Sequence, residues 1–537
     1  VVDSYAQIST KVTPQSQPSS KATIPNKAGG YTFQVSDETR LNRFLTLGSE
    51  GGTYYSSAKE LTAENADMVF NFARSGFGNK GKYLVDQIVE ISTAGRAPKQ
   101  NAAIFALAIA ASEGDEETRR YALSFLSQVC RTGTTLFMFL KYSQNFRGWG
   151  RAFKSAVAKW YEDKPTDKLA YQMLKYRSRE GWTQGDVLRQ AHPVVDETKG
   201  ELFNYILGKE ATLEDESLTL VWDFFELTNG ANPVEVINRG HGISWEMLPD
   251  EAVTKPEVWE ALLHQGIPVG ALFRQLPRLT RLGLTTGETG KLITRQMTNP
   301  ELLGKGRIHP VNVLIASKTY ARGSGMGSST WTPTGKVLDA FDDAFYIAYG
   351  AVEPAGKRTL LALDCSGSMA NSAGGTPISC FEAEVSLSLV VQNTEPDWEI
   401  VGFSSSGWGG RARGNTGIQR LPITPRQRLD DAVRNASQFN WGGTDCALPM
   451  LWAKQEKLLF DTIIVLTDND TWAGNIHPHQ ALKQYRDASG LNTRFIVCAF
   501  TGTRNTIADP DDPRELDVSG FDSAVPNLIS SFSRGDL

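Results

Sequence analysis

The chain has 537 residues, a net charge of −5 and five cysteines, and its length exceeds what one hydrophobic core usually supports, so two or more domains are expected. No apolar run approaches the roughly 20 residues of a membrane span, and the first 30 residues lack the apolar centre of a secretion signal. The cysteines (Cys130, Cys365, Cys380, Cys446, Cys498) are odd in number and far apart, which argues against a disulfide framework or a structural zinc and for free thiols in a reducing cytoplasm.

Residues 1–30 are rich in Ser, Thr, Pro, Gln and Lys and read as a disordered tail. From residue 31 the spacing predicts helices over 38–47, 62–74, 81–93, 100–112, 116–129, 134–142, 150–161 and 166–179. Their apolar residues recur at threes and fours, as in Ile104, Leu107, Ala108 and Ala111, the stripe of a one-faced helix. Looser helices follow over 218–227, 233–238, 244–248, 255–265, 267–275, 287–297, 310–320 and 336–349. So many helices without a sheet stack as an all-α, HEAT-like repeat solenoid over 31–350, with an irregular period of about 40 residues.

After residue 350 the rhythm changes. Strands over 359–363, 398–403, 461–466 and 493–500 alternate with helices over 379–392, 426–437, 447–457, 479–488 and near 523–533. A Gly- and Arg-rich segment, 407–424, offers an edge strand at 418–423. The alternation predicts an α/β, Rossmann-like doubly wound domain over 351–537.

Charge is uneven. Arg131 to His192 holds twelve Lys/Arg against five Asp/Glu, and Val269 to Pro310 holds seven against two, within a chain of net −5. Local positive surfaces of this kind suit a polyanion. Arg147, Arg151 and Lys154 follow at four- and three-residue steps and are expected on one helix face; Lys168, Tyr171, Lys175 and Arg179 are expected to do the same on the next. Arg177 and Arg189 extend the set, and His192 either donates to phosphate or packs against its neighbours. Arg forks match phosphate, and Tyr171 or Tyr176 could stack on an unpaired base, which favours RNA; a solvated charged face is the plain alternative.

The run Thr359-Leu-Leu-Ala-Leu-Asp364-Cys-Ser366-Gly-Ser368 reads as a buried strand opening into a loop of oxygen donors. Short Asp/Ser loops are also common turns. Two further loops join it, Trp441-Gly-Gly-Thr444-Asp445 and the strand end Thr467-Asp468-Asn-Asp470. The three together resemble the metal-ion-dependent adhesion site of von Willebrand A domains. The resemblance implies that Asp364, Ser366, Ser368, Thr444 and Asp468 hold a divalent ion, Mg²⁺ foremost, with one position left for an acidic group of a partner.

Gly48-Ser-Glu-Gly-Gly-Thr-Tyr-Tyr55, Trp149-Gly-Arg151, Lys175-Tyr-Arg177 with Gly181-Trp182 and His192, Arg307-Ile-His309-Pro310, Val352-Glu-Pro354 and Thr506-Ile-Ala-Asp-Pro-Asp-Asp512 resemble the Ro autoantigen family, the TROVE-domain proteins, and among them the bacterial Ro sixty-related members. The resemblance implies a ring of HEAT-like repeats closed by the A domain. It implies small noncoding Y RNAs on a basic outer surface and single-stranded 3′ ends of misfolded or maturing RNAs in the hole. The implied setting is RNA quality control, rRNA maturation and decay alongside exoribonucleases, with Lys175 and His192 on the RNA-contacting surface. The stretch 201–262 resembles the family weakly. Two rival classes are an adhesion-like protein-binding module with a helical spacer and a metal-dependent phosphoester hydrolase. No candidate general base stands at a recognisable spacing from Asp364 and Asp468, so a binding protein is expected rather than an enzyme.

Overall fold

The structure, a computed structural model, describes residues 12–47, 66–97, 99–325, 328–350, 352–371, 373, 378–405, 417–425, 427–438, 442–501, 505–520 and 524–536. Two compact units share the chain, one from 1–55 with 351–537 and the other from 56–350. The motif Gly48–Tyr55 and Trp441 lie outside the described residues, as do residues 1–11 of the expected tail.

The rest of that tail is not disordered. Strands β1 (Thr23–Pro25) and β2 (Tyr31–Gln34) pair antiparallel, with Thr23 opposite Phe33. The Asn26 side chain closes their turn by accepting from the amides of Ala28 and Gly30. Composition misleads here because the segment borrows its order: β2 pairs with the distant strand β10 (Asn505–Thr506), and Phe33 and Val35 are buried. The helix Asp37–Leu47 likewise leaves the helical stack in which it was expected. Its Arg43, 1% exposed, reaches the Asn505 carbonyl at 3.0 Å and Asp517 at 2.5 Å, tying the N-terminal segment to the C-terminal sheet.

In the helical unit the predicted stack stands, beginning with Asp67–Arg74, Lys82–Ala94 and Asn101–Glu113. The last of these is apolar on every side, and every residue from Ala102 to Ser112 is buried. The helix expected over 116–129 is two pieces, Glu116–Ser124 and Leu126–Val129, broken at Phe125 (φ −98°, ψ 6°). The helices Gly133–Gln144, Arg151–Glu162 and Thr166–Lys175 follow. The last stops four residues short of the prediction. Glu180 and Gly181 both take positive φ (56° and 82°), the geometry of a two-residue hairpin turn, so β3 (Ser178–Arg179) pairs with β4 (Trp182–Thr183).

The α/β unit holds β5 (Thr359–Asp364), β6 (Trp398–Phe403), β7 (Ile418–Arg420), β8 (Thr462–Thr467), β9 (Arg494–Ala499) and β11 (Glu515–Ser519). Their order is β11-β9-β8-β5-β6-β7, parallel except for the edge strand β7. Every residue of β5 and β8 is buried, which explains their continuous apolar runs. The chain leaves β5 for β6 on one side and returns to β8 on the other, and the carboxyl ends of β5 and β8 flank the crevice where such sheets bind ligands.

The first and last parts of the helical unit meet. The buried His309 caps the helix Pro310–Ala321 by accepting from the Val311 amide through Nδ1 (3.1 Å), so Nε2 carries the proton and donates to the Arg96 carbonyl (3.2 Å). Burial lowers the His309 pKa from 6.5 to about 4. Because the folded value is depressed, the unfolded chain takes up the proton first as pH falls, and stability present above pH 6.5 is lost toward pH 4. Lowering the pH from 7 to 5 is expected to cost about 2 kcal/mol through this group, read as a shift in urea unfolding midpoint that His309→Asn removes.

Candidate nucleic-acid interface and metal site

Asp364 ends β5 and Asp468 follows β8, so adjacent strands deliver two buried carboxylates to one crevice. Asp364 Oδ1 accepts the Ser366 amide at 3.0 Å and Oδ2 accepts the Thr467 hydroxyl at 2.6 Å. The Ser366 and Ser368 hydroxyls lie 3.1 Å apart. Thr444 is buried, and its carbonyl accepts the amides of Trp472 (3.1 Å) and Ala473 (3.0 Å). Gly442 and Gly443 let this loop press in: a Cβ on Gly442 would meet the Ser405 carbonyl oxygen at 2.4 Å, and one on Gly443 the Trp472 ring at 2.7 Å. A cavity of about 960 Å³ opens here, lined by Ser366, Ser368, Thr444 and Trp472, with Lys27 from the β1–β2 turn.

The donor set fits a hard cation. Burial, and after it the charge of Asp468, push the Asp364 carboxyl well up from its usual range. Among the described residues no lysine or arginine is ion-paired with Asp364 or Asp468. Two close carboxylates without a counter-cation, surrounded by hydroxyl oxygens, are what Mg²⁺ would neutralise. The five predicted residues could hold it.

Three further residues escaped the sequence reading. Thr467 had a signal, since it immediately precedes Asp468 at the strand end. Glu384 lies in the buried helix Cys380–Thr394 and accepts the Asp364 amide at 3.0 Å; an acid inside an apolar helical run marks it. Burial, then the Asp364 charge, raises its pKa well above the ordinary value. Gln15 had none. Fully buried, it donates to Asp445 (2.8 Å) and the Ile476 carbonyl (2.9 Å) and accepts from Thr471 (2.5 Å), bracing the second and third loops.

The basic residues divide. Arg151 and Lys154 share the helix Arg151–Glu162, whereas Arg147 sits in the loop before it. Trp149, between them, packs on Phe153 (5.2 Å) and on Trp182 of β4 (5.7 Å). Arg147 and Arg151 flank Trp149 in sequence and Arg179 is the backbone partner of Trp182 across the hairpin; all three are exposed. Arg179 is on β3 rather than on the helix of Lys168 and Tyr171. Arg177 is exposed and lies 5.3 Å from the Phe224 ring. Arg189 and His192 are exposed at the end of the helix Gln184–Ala191, with His192 in left-handed conformation (φ 49°).

Lys168 is exposed and 3.3 Å from Asp167. Lys175 departs from expectation. Its side chain is 9% exposed, bonded to the Tyr171 hydroxyl at 3.0 Å and 3.6 Å from Glu246. Burial opposes its charge, yet Tyr171, Tyr176 and Glu246 outweigh it, so its pKa rises. Helical spacing placed it correctly on the Tyr171 face, but that face is covered. Tyr171 and Tyr176 are half-buried beside it.

Two family models match the chain: the TROVE domain over 24–217 and 240–323, and the Ro60 vWA domain over 358–533. The chain belongs to the Ro60 family. It is 37% identical to the "RNA-binding protein RO60" of Deinococcus radiodurans, over 98% of each chain, and 33% identical to the protein of that name from Caenorhabditis elegans, over 96% of this chain and 90% of the other. It matches the crystal structure of the D. radiodurans RO (RSR) protein with a TM-score of 0.69 at 36% identity, covering 94% of this chain and all of that one. The TROVE match passes over 218–239, inside the stretch that resembled the Ro60 family weakly. There the helix Thr219–Thr228 exposes Trp222 and Phe225, whose rings lie 5.6 Å apart.

Gln15→Ala strands buried partners and is expected to destabilise the α/β unit by about 2–4 kcal/mol, measured by urea denaturation. Lys175→Met leaves Glu246 without its cation and is expected to cost the helical unit about 2 kcal/mol in the same measurement.

Proposed function

We propose that this Ro60-family protein is a cytoplasmic RNA-binding scaffold rather than an enzyme. Its basic helical surface holds small noncoding Y RNAs, and it takes the single-stranded 3′ ends of misfolded or maturing RNAs, serving RNA quality control, rRNA maturation and decay alongside exoribonucleases. The observation that carries the reading is the exposure of Arg147 and Arg151 on either side of Trp149 and of Arg179 opposite Trp182, with the two tryptophan rings in contact. Exposed guanidiniums present forked donors that match phosphate oxygens. Lys154, Lys168, Arg177, Arg189 and His192 widen the electrostatic footprint. Phosphate contacts of this kind supply affinity that falls with salt, while unpaired ends are selected by shape and stacking.

The metal site serves another partner in this reading. Asp364, Ser366, Ser368, Thr444 and Asp468 would hold Mg²⁺, which when bound supplies a position for an acidic protein group. The pair of buried carboxylates without a paired lysine or arginine supports it. The chain's own part is to bury Asp364, orient it through Thr467 and the Ser366 amide, and keep the cavity open beside Trp472.

The test is single-stranded RNA affinity across a salt series. Arg147→Ala/Arg151→Ala/Arg179→Ala is expected to weaken binding and reduce the slope of log affinity against log salt by about 2, at roughly 0.7 per phosphate contact. Lys175→Met should leave the slope alone. Asp364→Ala should keep RNA affinity and lose Mg²⁺ binding measured by calorimetry. An unchanged slope in the triple variant would sink the RNA surface as drawn.

A further inference from the structure

The helix Thr219–Thr228 completes its packing without two of its aromatic residues. Leu220, Val221, Phe224 and Leu227 are buried on its inner side. Trp222 and Phe225 stand on the other, 46% and 41% exposed, with ring centroids 5.6 Å apart and planes tilted by 33°. Thr219, Trp222, Phe225 and Asn229 follow at three- and four-residue steps, so the pair sits on an outer face of uncharged residues. Two large rings side by side in water forgo the burial that aromatic side chains otherwise gain, and adjacent exposed apolar groups mark an interaction site.

The acids of this helix, Asp223 and Glu226, are both compensated. Asp223, 1% exposed, accepts from Arg239 at 2.8 Å and from Nδ1 of His241 at 2.8 Å, and Arg239 also bonds Glu226. Neither carboxylate stands uncompensated against a polyanion. Positive charge adjoins the helix as well. The exposed Arg177 places its guanidinium 5.3 Å from the centre of the Phe224 ring, and the helix packs against Thr166–Lys175, which carries Lys168 and Tyr171. The aromatic pair thus belongs to an element that touches the basic residues of the same unit.

We infer that Trp222 and Phe225 form a stacking platform for unpaired nucleobases of bound RNA. Every base offers a π-face, so exposed aromatic side chains hold single strands without reading their sequence. A protein partner requires a broader surface, since stable interfaces engage roughly 20–30 residues a side, and Trp222 and Phe225 are the exposed large apolar side chains of this helix. The inference rests on the RNA reading proposed above and adds to its phosphate contacts a contribution that salt does not weaken.

The test titrates the full-length protein with a single-stranded oligoadenylate and with an abasic oligomer of the same length, across a salt series. Trp222→Ala/Phe225→Ala is expected to lower oligoadenylate affinity about tenfold and to leave the slope of log affinity against log salt unchanged, because no phosphate contact is removed. The wild type should prefer the oligoadenylate to the abasic oligomer, and the double variant should lose that preference. Trp222→Phe/Phe225→Tyr keeps two π-faces and should retain the affinity, which separates stacking from a defect in folding. Equal oligoadenylate affinity in the wild type and the alanine variant would overturn the platform; if that variant also turns a dimer into a monomer in sedimentation, the pair belongs to a contact with a second copy of the chain. A wild type that binds neither oligomer would overturn this assignment together with the proposed function. An unchanged slope in Arg147→Ala/Arg151→Ala/Arg179→Ala, with the base preference carried by Trp222 and Phe225 as expected, would sink the arginine surface and uphold the platform.

Discussion

The architecture rests on how buried charge is compensated. In the α/β unit, Asp364, Asp468 and Glu384 are drawn together by adjacent strand ends and the helix Cys380–Thr394. Hydroxyls and amides satisfy some of their oxygens; one buried Glu384 oxygen has no partner among the described residues. Such a cluster is destabilising as it stands. It persists because the central strands β5 and β8 are buried along their whole length and the loops are braced, by Gln15 at one side and by the Thr467 hydroxyl at the other. The same logic run in reverse describes Arg43, an isolated cation that the fold does compensate, through Asp517 and the Asn505 carbonyl. One charge is consumed in holding the chain together, while the other set is left poised for something from outside.

That distinction also separates the basic residues. Local charge marks the basic stretches of the sequence, but a positive count does not say which cations are available. Lys175 is consumed by Tyr171 and Glu246, the latter 71 residues downstream, whereas Arg147, Arg151 and Arg179 are displayed by the Trp149–Trp182 contact. Periodicity cannot see either event. It gives the face of a helix and nothing of what covers that face.

Legibility followed locality. Strands β5 and β8 and the helices from Asp67 onward announced themselves through uninterrupted apolar runs or three-four spacing, because each satisfies its own backbone or pairs with a like strand. The positions of Asp364, Ser366, Ser368, Thr444 and Asp468 at strand ends or a Gly-rich loop were legible for the same reason. What failed was non-local. β1 and β2 look like tail because their partner β10 is hundreds of residues away. The helix Asp37–Leu47 has the spacing of its C-terminal neighbours in sequence, yet it buries Leu41, Phe44 and Leu45 with the other unit. The hairpin at 178–183 cut a helix short because Glu180-Gly181 forms a two-residue turn, a signal hidden in a run that is otherwise helical in pattern.

The two candidate sites are each assembled from one unit: the oxygen donors from the N-terminal segment with 351–537, the displayed arginines from 56–350. Coupling between sites requires an element with two arrangements that both ligands bias. The groups that orient Asp364 are Thr467, Glu384 and the Ser366 amide, and those that display Arg147 and Arg151 are Trp149, Phe153 and Trp182. The sets share no residue and, among the described residues, no hydrogen bond.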